Sequence, residues 1–298
     1  MGTGIGTGQD IQKLRAKKKV SVMQLNEQYL GLEGPSVMGI LNVTPDSFFS
    51  GSRKFLPADI AARVKEISEQ GAVIVDIGGY STRPGAPEVT PEEELRRVIL
   101  GLEIVREVAP ELVISIDTFR AGVAEGVLSR FGGCIINDIS AGELDPAIID
   151  VVAGYGSPYI AMHMRGTPAD MQQYTRYGNV AHDVGDYLIR RAEYLKIKGV
   201  KDIILDPGFG FAKTTEQNYE LLAGLGDICK AGYPVLTGLS RKSMIYKVLG
   251  TTPGESLAGT AALNWECLRK GASVLRAHDV KEACDIVKLF NFYRENGA

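Results

Sequence analysis

The chain lacks the marks of several protein classes. Its 298 residues include only four cysteines, Cys134, Cys229, Cys267 and Cys284, widely spaced and without a CxxC pair. That excludes a dense disulfide framework, and reduced thiols in a cytoplasmic protein are expected. There are three histidines, His163, His182 and His278, with no H-x-x-x-H spacing and no zinc-ligand cluster. No run is long and apolar enough to span a bilayer. The N-terminus lacks the charged, apolar, small order of a signal peptide. Neither sign of charge is in large excess, since 33 Lys and Arg face 36 Asp and Glu, a net −3. Bulk charge therefore gives no support for nucleic-acid binding, and any anion must be met by a few placed cations. No G-x-G-x-x-G follows the first strand. Gly4-x-Gly6 has no strand before it, and Ser240 is not in a G-x-S-x-G elbow.

What the chain does have is alternation. It is 45% hydrophobic, enough for one large core. Residues 1–19 read as a flexible arm, and residues 20–32 as a short hairpin with Gly31 to Gly34 as turn material. From Val37 onward, short apolar runs alternate with helical patterns. The runs are 37–41, 73–77, 112–116, 134–139, 158–162, 202–205, 234–237 and 273–275. They are continuous rather than alternating in polarity, which suits a parallel sheet covered on both faces. Helices follow each of them. Thr90-Pro91 with Glu93 reads as a capping box, and Glu92–Arg96 and Glu93–Arg97 as solvent-facing pairs. Eight such units over residues 20–298 predict a single-domain α/β fold, a (β/α)8 TIM barrel behind a short N-terminal hairpin. A doubly wound open sheet is the alternative.

Polar residues cluster where these strands end. Asn42 and Asp46 flank Thr44-Pro45 and are hard oxygen donors suited to Mg²⁺, or an Asx-type turn. Residues 78–85, GGYSTRPG, offer hydroxyls, backbone N–H groups and an arginine fork for an oxyanion, or simply a solvated glycine-rich loop. Asp117, Asn137 and Asp206 each follow or end a different strand. Together they predict a hydrogen-bonding pocket for a flat polar ring, with aromatic faces from Phe209 and Phe211 beside Asp206. Lys242 is a poor surface cation at a helix start, because the dipole opposes it. Arg276 and His278 are two apart at the end of the last strand and predict an anion clamp. His163 reads as a satisfied core histidine and His182 as a surface residue.

Eight blocks carry a resemblance to a known family: MGILNVTPDSF (38–48), DIGGYSTRPGA (76–86), SIDTFR (115–120), INDISA (136–141), MHMRGTP (162–168), LDPGFGF (205–211), GLSRKS (238–243) and RAHDV (276–280). In this order, from about residue 20 to the end, they resemble the dihydropteroate synthases. The resemblance implies a pterin-binding barrel, active as a homodimer in folate biosynthesis and a target of sulfonamides. It implies a transferase joining 4-aminobenzoate to (7,8-dihydropterin-6-yl)methyl diphosphate, with Mg²⁺ and release of diphosphate. Asp117, Asn137, Met162, Asp206, Phe211 and Lys242 would bind the pterin. Asn42, Thr82, Arg276 and His278 would hold diphosphate, with Asn42 also on the metal. Phe48, Ser81, Thr82, Arg83, Pro84 and Lys242 would form the 4-aminobenzoate site. Asn42, Arg83, Lys242, Arg276 and His278 are the expected catalytic set. Two positions depart from the family pattern. Phe49-Ser50-Gly51-Ser52 stands where many members have a second acid, and Tyr80 replaces a common glutamate. A corrinoid-dependent pterin methyltransferase or a non-catalytic pterin-binding paralogue would share the pocket. The former would need neither Arg276-x-His278 nor the Ser-Thr-Arg loop, and the latter would be expected to lose its loop residues first.

Overall fold

The computed structural model describes residues 21–25, 28–32, 34–44, 57–81 and 87–297. The arm 1–19 and the candidates Asp46, Phe48, Thr82, Arg83 and Pro84 lie outside these residues.

The chain opens with an antiparallel ribbon of β1 (Ser21–Leu25) and β2 (Gln28–Leu32). The hairpin is where it was expected, but its turn is not. Gly31 sits within β2 opposite Val22, and the strands reverse between Leu25 and Gln28. Ladder hydrogen bonds use only backbone groups, so a glycine is no bar to pairing.

Eight parallel strands follow: β3 (Ser36–Asn42), β4 (Ile74–Gly78), β5 (Val113–Asp117), β6 (Ile135–Asp138), β7 (Tyr159–Met162), β8 (Ile203–Asp206), β9 (Leu236–Thr237) and β10 (Val274–Ala277). Their order is β8-β7-β6-β5-β4-β3-β10-β9. A parallel bridge, Leu205 to Val235, joins β8 to the residue preceding β9 and closes the ring. An open doubly wound sheet would leave two edges there, so closure decides for the barrel. The outer layer is α1 (Pro57–Glu69), α2 (Pro91–Val108), α3 (Ala121–Phe131), α4 (Ala147–Tyr155), α5 (Val180–Ile197), α6 (Thr215–Cys229), α7 (Ser243–Leu249), α8 (Leu257–Lys270) and α9 (Val280–Asn296). The seventh unit thus carries two helices, α7 and α8.

Strand periodicity sorts the side chains. Val37, Leu41, Val75, Ile77, Ile114, Ile116 and Leu205 point outward into the core shared with the helices. Met38, Ile74, Ile135, Ile160, Ile204, Leu236 and Val274 are wholly buried and form a separate apolar layer. They close the barrel axis like a floor. Two residues further along their strands stand Asp76, Asn137, Met162, Asp206 and Arg276. The polar level is therefore the next inward layer, at the carboxyl ends of the strands.

Side-chain caps stand at Thr90, Asn179 and Thr214, ahead of α2, α5 and α6. Thr90 Oγ1 accepts from the Glu93 N–H at 3.3 Å. The Glu93 carboxylate does not complete the expected box; it binds Arg96 (2.8 Å) and Arg97 (2.7 Å). Arg96 thus pairs three residues back rather than with Glu92, because two guanidinium forks outcompete one backbone N–H. Full boxes are at Thr214 and Gln217, ahead of α6, and at Thr252 and Glu255, ahead of a short 3-10 turn.

Gly39 marks the tightest strand-to-helix approach on β3. A Cβ there would stand 2.7 Å from Ile67 of α1 and 3.1 Å from Val280 of α9. Gly39→Ala should therefore lower stability by about 1–3 kcal/mol through overpacking. Urea denaturation reads this directly, and an unchanged midpoint would show that Ile67 can give way.

Candidate active site

The polar layer is organised around Asp76. It is fully buried in the middle of β4. Its carboxylate accepts from Ser115 Oγ (2.7 Å), Asn137 Nδ2 (3.0 Å) and Arg276 Nε (2.6 Å). Arg276 Nη2 donates to Asp117 Oδ2 at 2.7 Å. One guanidinium from β10 thus bridges carboxylates from β4 and β5. Each buried charge has a partner, without which its desolvation would be prohibitive. The two carboxylates outweigh the effect of burial and hold Arg276 above its ordinary range, so it stays charged. Burial pushes Asp117 up to about 7, against the pull of Arg276 and with Asp76 adding to the rise. Sequence reasoning missed Asp76. The available signal was an acid inside an apolar run, two residues before the strand ends.

Across the barrel, Asp206 ends β8 and accepts from the Gly208 N–H at 2.8 Å. Burial raises its pKa, and the nearby Lys242 ammonium counters most. Lys242 is the backbone cap of α7, but its side chain turns inward, away from the adverse helix dipole. Its Nζ donates to the Phe209 carbonyl and lies 4.7 Å from the centre of the Phe211 ring. Burial brings its pKa down to about 8. Phe209 is not a pocket aromatic, since its ring is fully buried in the helix-facing core. Phe211 instead packs on a mouth cluster of Ile139, Met162, Met164, Met171 and Ala212. Asp117, Asn137, Met162, Asp206, Phe211 and Lys242 therefore meet at one mouth.

Asn42 ends β3 opposite Gly78. A Cβ on Gly78 would lie 3.5 Å from Asn42 Oδ1 and 3.7 Å from Asp117 Oδ2. The glycine leaves a gap between those groups. His278 lies just past β10. Its ring Nδ1 is 3.1 Å from Ser240 Oγ, its N–H donates to the same oxygen (3.2 Å), and its carbonyl accepts from Arg63 (2.6 Å). Ser240 and Arg63 thus fix the histidine, which the sequence did not suggest. The guanidinium expected to clamp an anion beside it, Arg276, is held by Asp76 and Asp117.

Ser81 is half-buried where its loop leaves β4. The preceding Tyr80 meets Phe119 edge-on (5.6 Å) and lies under Arg120 (5.1 Å). Arg120 is paired with buried Glu94 at 2.7 Å, and Thr118 donates to the same carboxylate at 2.6 Å. The loop thus starts from a fixed root. His163 is buried and hydrogen-bonded and His182 is exposed on α5, both as expected. Among the described residues, no group of three or more His, Cys, Asp or Glu side chains could hold a metal ion. No helix among them is long and apolar enough to cross a membrane.

The sequence matches the family profile described as pterin-binding enzyme over residues 38–278. It is 42% identical to the dihydropteroate synthase of Haemophilus influenzae over 268 residues, 89% of this chain and 96% of that one. The chain belongs to the dihydropteroate synthase family. The structures agree. The Xanthomonas albilineans dihydropteroate synthase with 4-aminobenzoic acid superposes with a TM-score of 0.84 at 37% identity, covering 92% of this chain and 98% of that one. The Yersinia pestis dihydropteroate synthase in a sulfonamide drug complex gives 0.85 at 34% identity, covering 92% and 99%. Dihydropteroate synthase is a transferase of the folate pathway, and that is the activity of this chain.

The raised Asp117 pKa carries a pH signature. A carboxylate with a raised folded pKa contributes stability that is full below its unfolded value, near 4. That contribution is lost as pH rises toward about 7. Asp117→Asn removes the titration. Its stability relative to the parent should rise across that window, by at most about 1.4 kcal/mol per pH unit. Chemical denaturation at half-unit pH steps tests this, and parallel profiles would show that Asp117 ionises normally.

Proposed function

We propose that the mouth joins 4-aminobenzoate to (7,8-dihydropterin-6-yl)methyl diphosphate through the residues assembled above. The observation that carries this reading is the set Asp117, Asn137 and Asp206 beside the apolar wall of Met162 and Phe211. Carboxylates accept from ring N–H groups, and a flat ring fits against a thioether and a phenyl face. Asn137 gives one amide N–H to Asp76. That orients the amide and leaves its carbonyl and second N–H for the ring. Lys242, beside both Asp206 and Phe211, donates to a ring oxygen or nitrogen.

Diphosphate belongs at the rim with Asn42, His278 and Arg276, and 4-aminobenzoate with Ser81 and the loop that carries Thr82, Arg83 and Pro84, together with Phe48 and Lys242. Asn42 fits Mg²⁺. It offers a hard oxygen beside the gap at Gly78, and an ion held by one protein oxygen is one that keeps waters and substrate phosphates as ligands. Bound there, Mg²⁺ would supply charge to neutralise the departing diphosphate. His278, fixed by Ser240 and Arg63, stabilises the same developing charge without reorganising. The pterin delocalises the positive charge left on its methylene carbon, and the amine attacks after departure, so no strong general base is needed.

The purified protein should convert the two substrates to 7,8-dihydropteroate and diphosphate, and lose turnover on exhaustive chelation. Asp206→Asn should keep the fold and lose about ten- to a hundredfold in pterin affinity, the worth of a charge-assisted hydrogen bond. Calorimetry showing parent-like affinity would reduce Asp206 to a structural strand end.

The homodimer is part of this reading. Val248 and Leu249 on α7 and Leu289, Phe292 and Tyr293 on α9 are each more than half exposed. The helix between them, α8, packs against both neighbours. Large exposed apolar side chains on the two helices flanking α8 favour association. Phe292→Glu should shift the protein toward monomer in sedimentation. A parent that sediments as a monomer would remove the dimer.

A further inference from the structure

Lys213 was not suggested by the sequence, and the reaction does not need it. It is nevertheless one of the most enclosed charged side chains in the molecule, 3% exposed. Its Nζ has three partners: the Gly208 carbonyl at 2.9 Å, the Phe211 carbonyl at 3.0 Å and His163 Nδ1 at 3.1 Å. An ammonium has three protons, so this geometry saturates it. It also requires His163 Nδ1 to be an acceptor. Burial keeps that ring neutral, with its pKa down to about 2, and the Tyr177 and Tyr187 rings pack on it at 6.0 and 5.0 Å.

The two carbonyls belong to the loop 207–212. Its backbone is unusual: Gly208, Gly210 and Ala212 all have positive φ. A Cβ on Gly208 would stand 2.0 Å from the His163 carbonyl oxygen. On the far side the Gly210 N–H donates to Asn218 Oδ1 at 2.7 Å. The loop is therefore clamped between the end of β7 and the start of α6. It carries Phe211, and its Gly208 N–H holds the Asp206 carboxylate.

We propose that Lys213, seated on His163, is a positioning residue for the pterin, fixing the loop 207–212 so that Asp206 and Phe211 meet the ring in one geometry. The inference rests on the pterin reading above. Lys213 acts through Asp206 and Phe211 and does not touch the substrate. It also acts by charge on the acid side of neutrality, since burial brings its own pKa down to about 7. The groups facing Asp206 are the cations Lys242, Arg276 and Lys213, and those facing Lys213 are Asp206, Lys242, Arg165 and His163. A cation near a carboxylate favours its ionised form, so removing Lys213 moves the acid limit of ring binding to higher pH.

The test is calorimetric titration of the full chain with 6-hydroxymethylpterin from pH 4.5 to 8. Three variants are used: Lys213→Met, His163→Leu and His163→Asn. Asparagine keeps an acceptor near the position of Nδ1, and leucine keeps only apolar bulk. Lys213→Met and His163→Leu should bind about tenfold or more weakly, and the acid limb of the Lys213→Met profile should move up. His163→Asn should stay within about twofold of the parent. A merely space-filling role would rank leucine above asparagine and leave the pH profile in place, and either result overturns the proposal. If Lys213→Met does not fold, the order of the two His163 variants decides. Parent-like affinity and pH profile in folded Lys213→Met would defeat this inference alone. Failure of the parent to bind the pterin would defeat the functional reading and this inference together.

Discussion

The pairing of Asp76 with Arg276 is the interaction on which the rest of the mouth depends. A carboxylate on the inner face of a closed barrel has no water to fall back on. It persists only with a cation and enough donors, and here Arg276, Ser115 and Asn137 supply them. Removing one member of such a pair costs about 3–5 kcal/mol, because it strands the other. The pair therefore ties β4 to β10 over the intervening β3 and sets the orientation of Asn137. It also brings Arg276 within reach of Asp117. A site residue on three different strands is positioned by one buried carboxylate.

The apolar floor makes that possible. Met38, Ile74, Ile135, Ile160, Ile204, Leu236 and Val274 seal the axis from below. The polar groups above them sit in a low-dielectric cup open on one side. There a hydrogen bond to a ligand is stronger than in water, and an unmatched donor or acceptor is more costly. Under the proposed pterin reading, a flat ring with a donor-rich edge satisfies Asp206 and Asn137, and one lacking those N–H groups leaves a carboxylate without its partner. Selectivity for the ring then follows from burial as much as from any single contact.

Much of the barrel was legible in the sequence because its strands are covered on both faces and so read as plain apolar runs. Polar residues, glycine or proline mark where each run stops. Asp117, Asn137, Asp206, Lys242 and His278 could be singled out for the same reason. Asp76 was hidden because it lies before the strand end, where an inward position is visible only once the register is known. Lys213 was hidden because nothing local distinguishes a buried lysine from one leading into a helix. Phe209 and Phe211 look equivalent in the motif, yet one enters the outer core and the other the mouth. That division depends on positive φ at Gly208 and Gly210, which the residue types permit and do not compel.

Charge balance gives the last constraint. Asp76, Asp117 and Asp206 face Arg276, Lys242 and Lys213, so the interior of the mouth is close to neutral. A neutral interior suits a neutral pterin ring, and the one cation in it proposed to reach diphosphate, Arg276, is shared with carboxylates. Arg276 in particular is already engaged by two carboxylates, and an anion recruiting it would compete with them. The leaving group's charge must then be met at the rim. Asn42, at the end of β3, and His278, just past β10, are the groups proposed to meet it there. In this reading the molecule separates two tasks by depth. The proposed ring site is buried and charge-compensated before substrate arrives, while the proposed diphosphate site lies at the surface, where a divalent cation would come with the substrate.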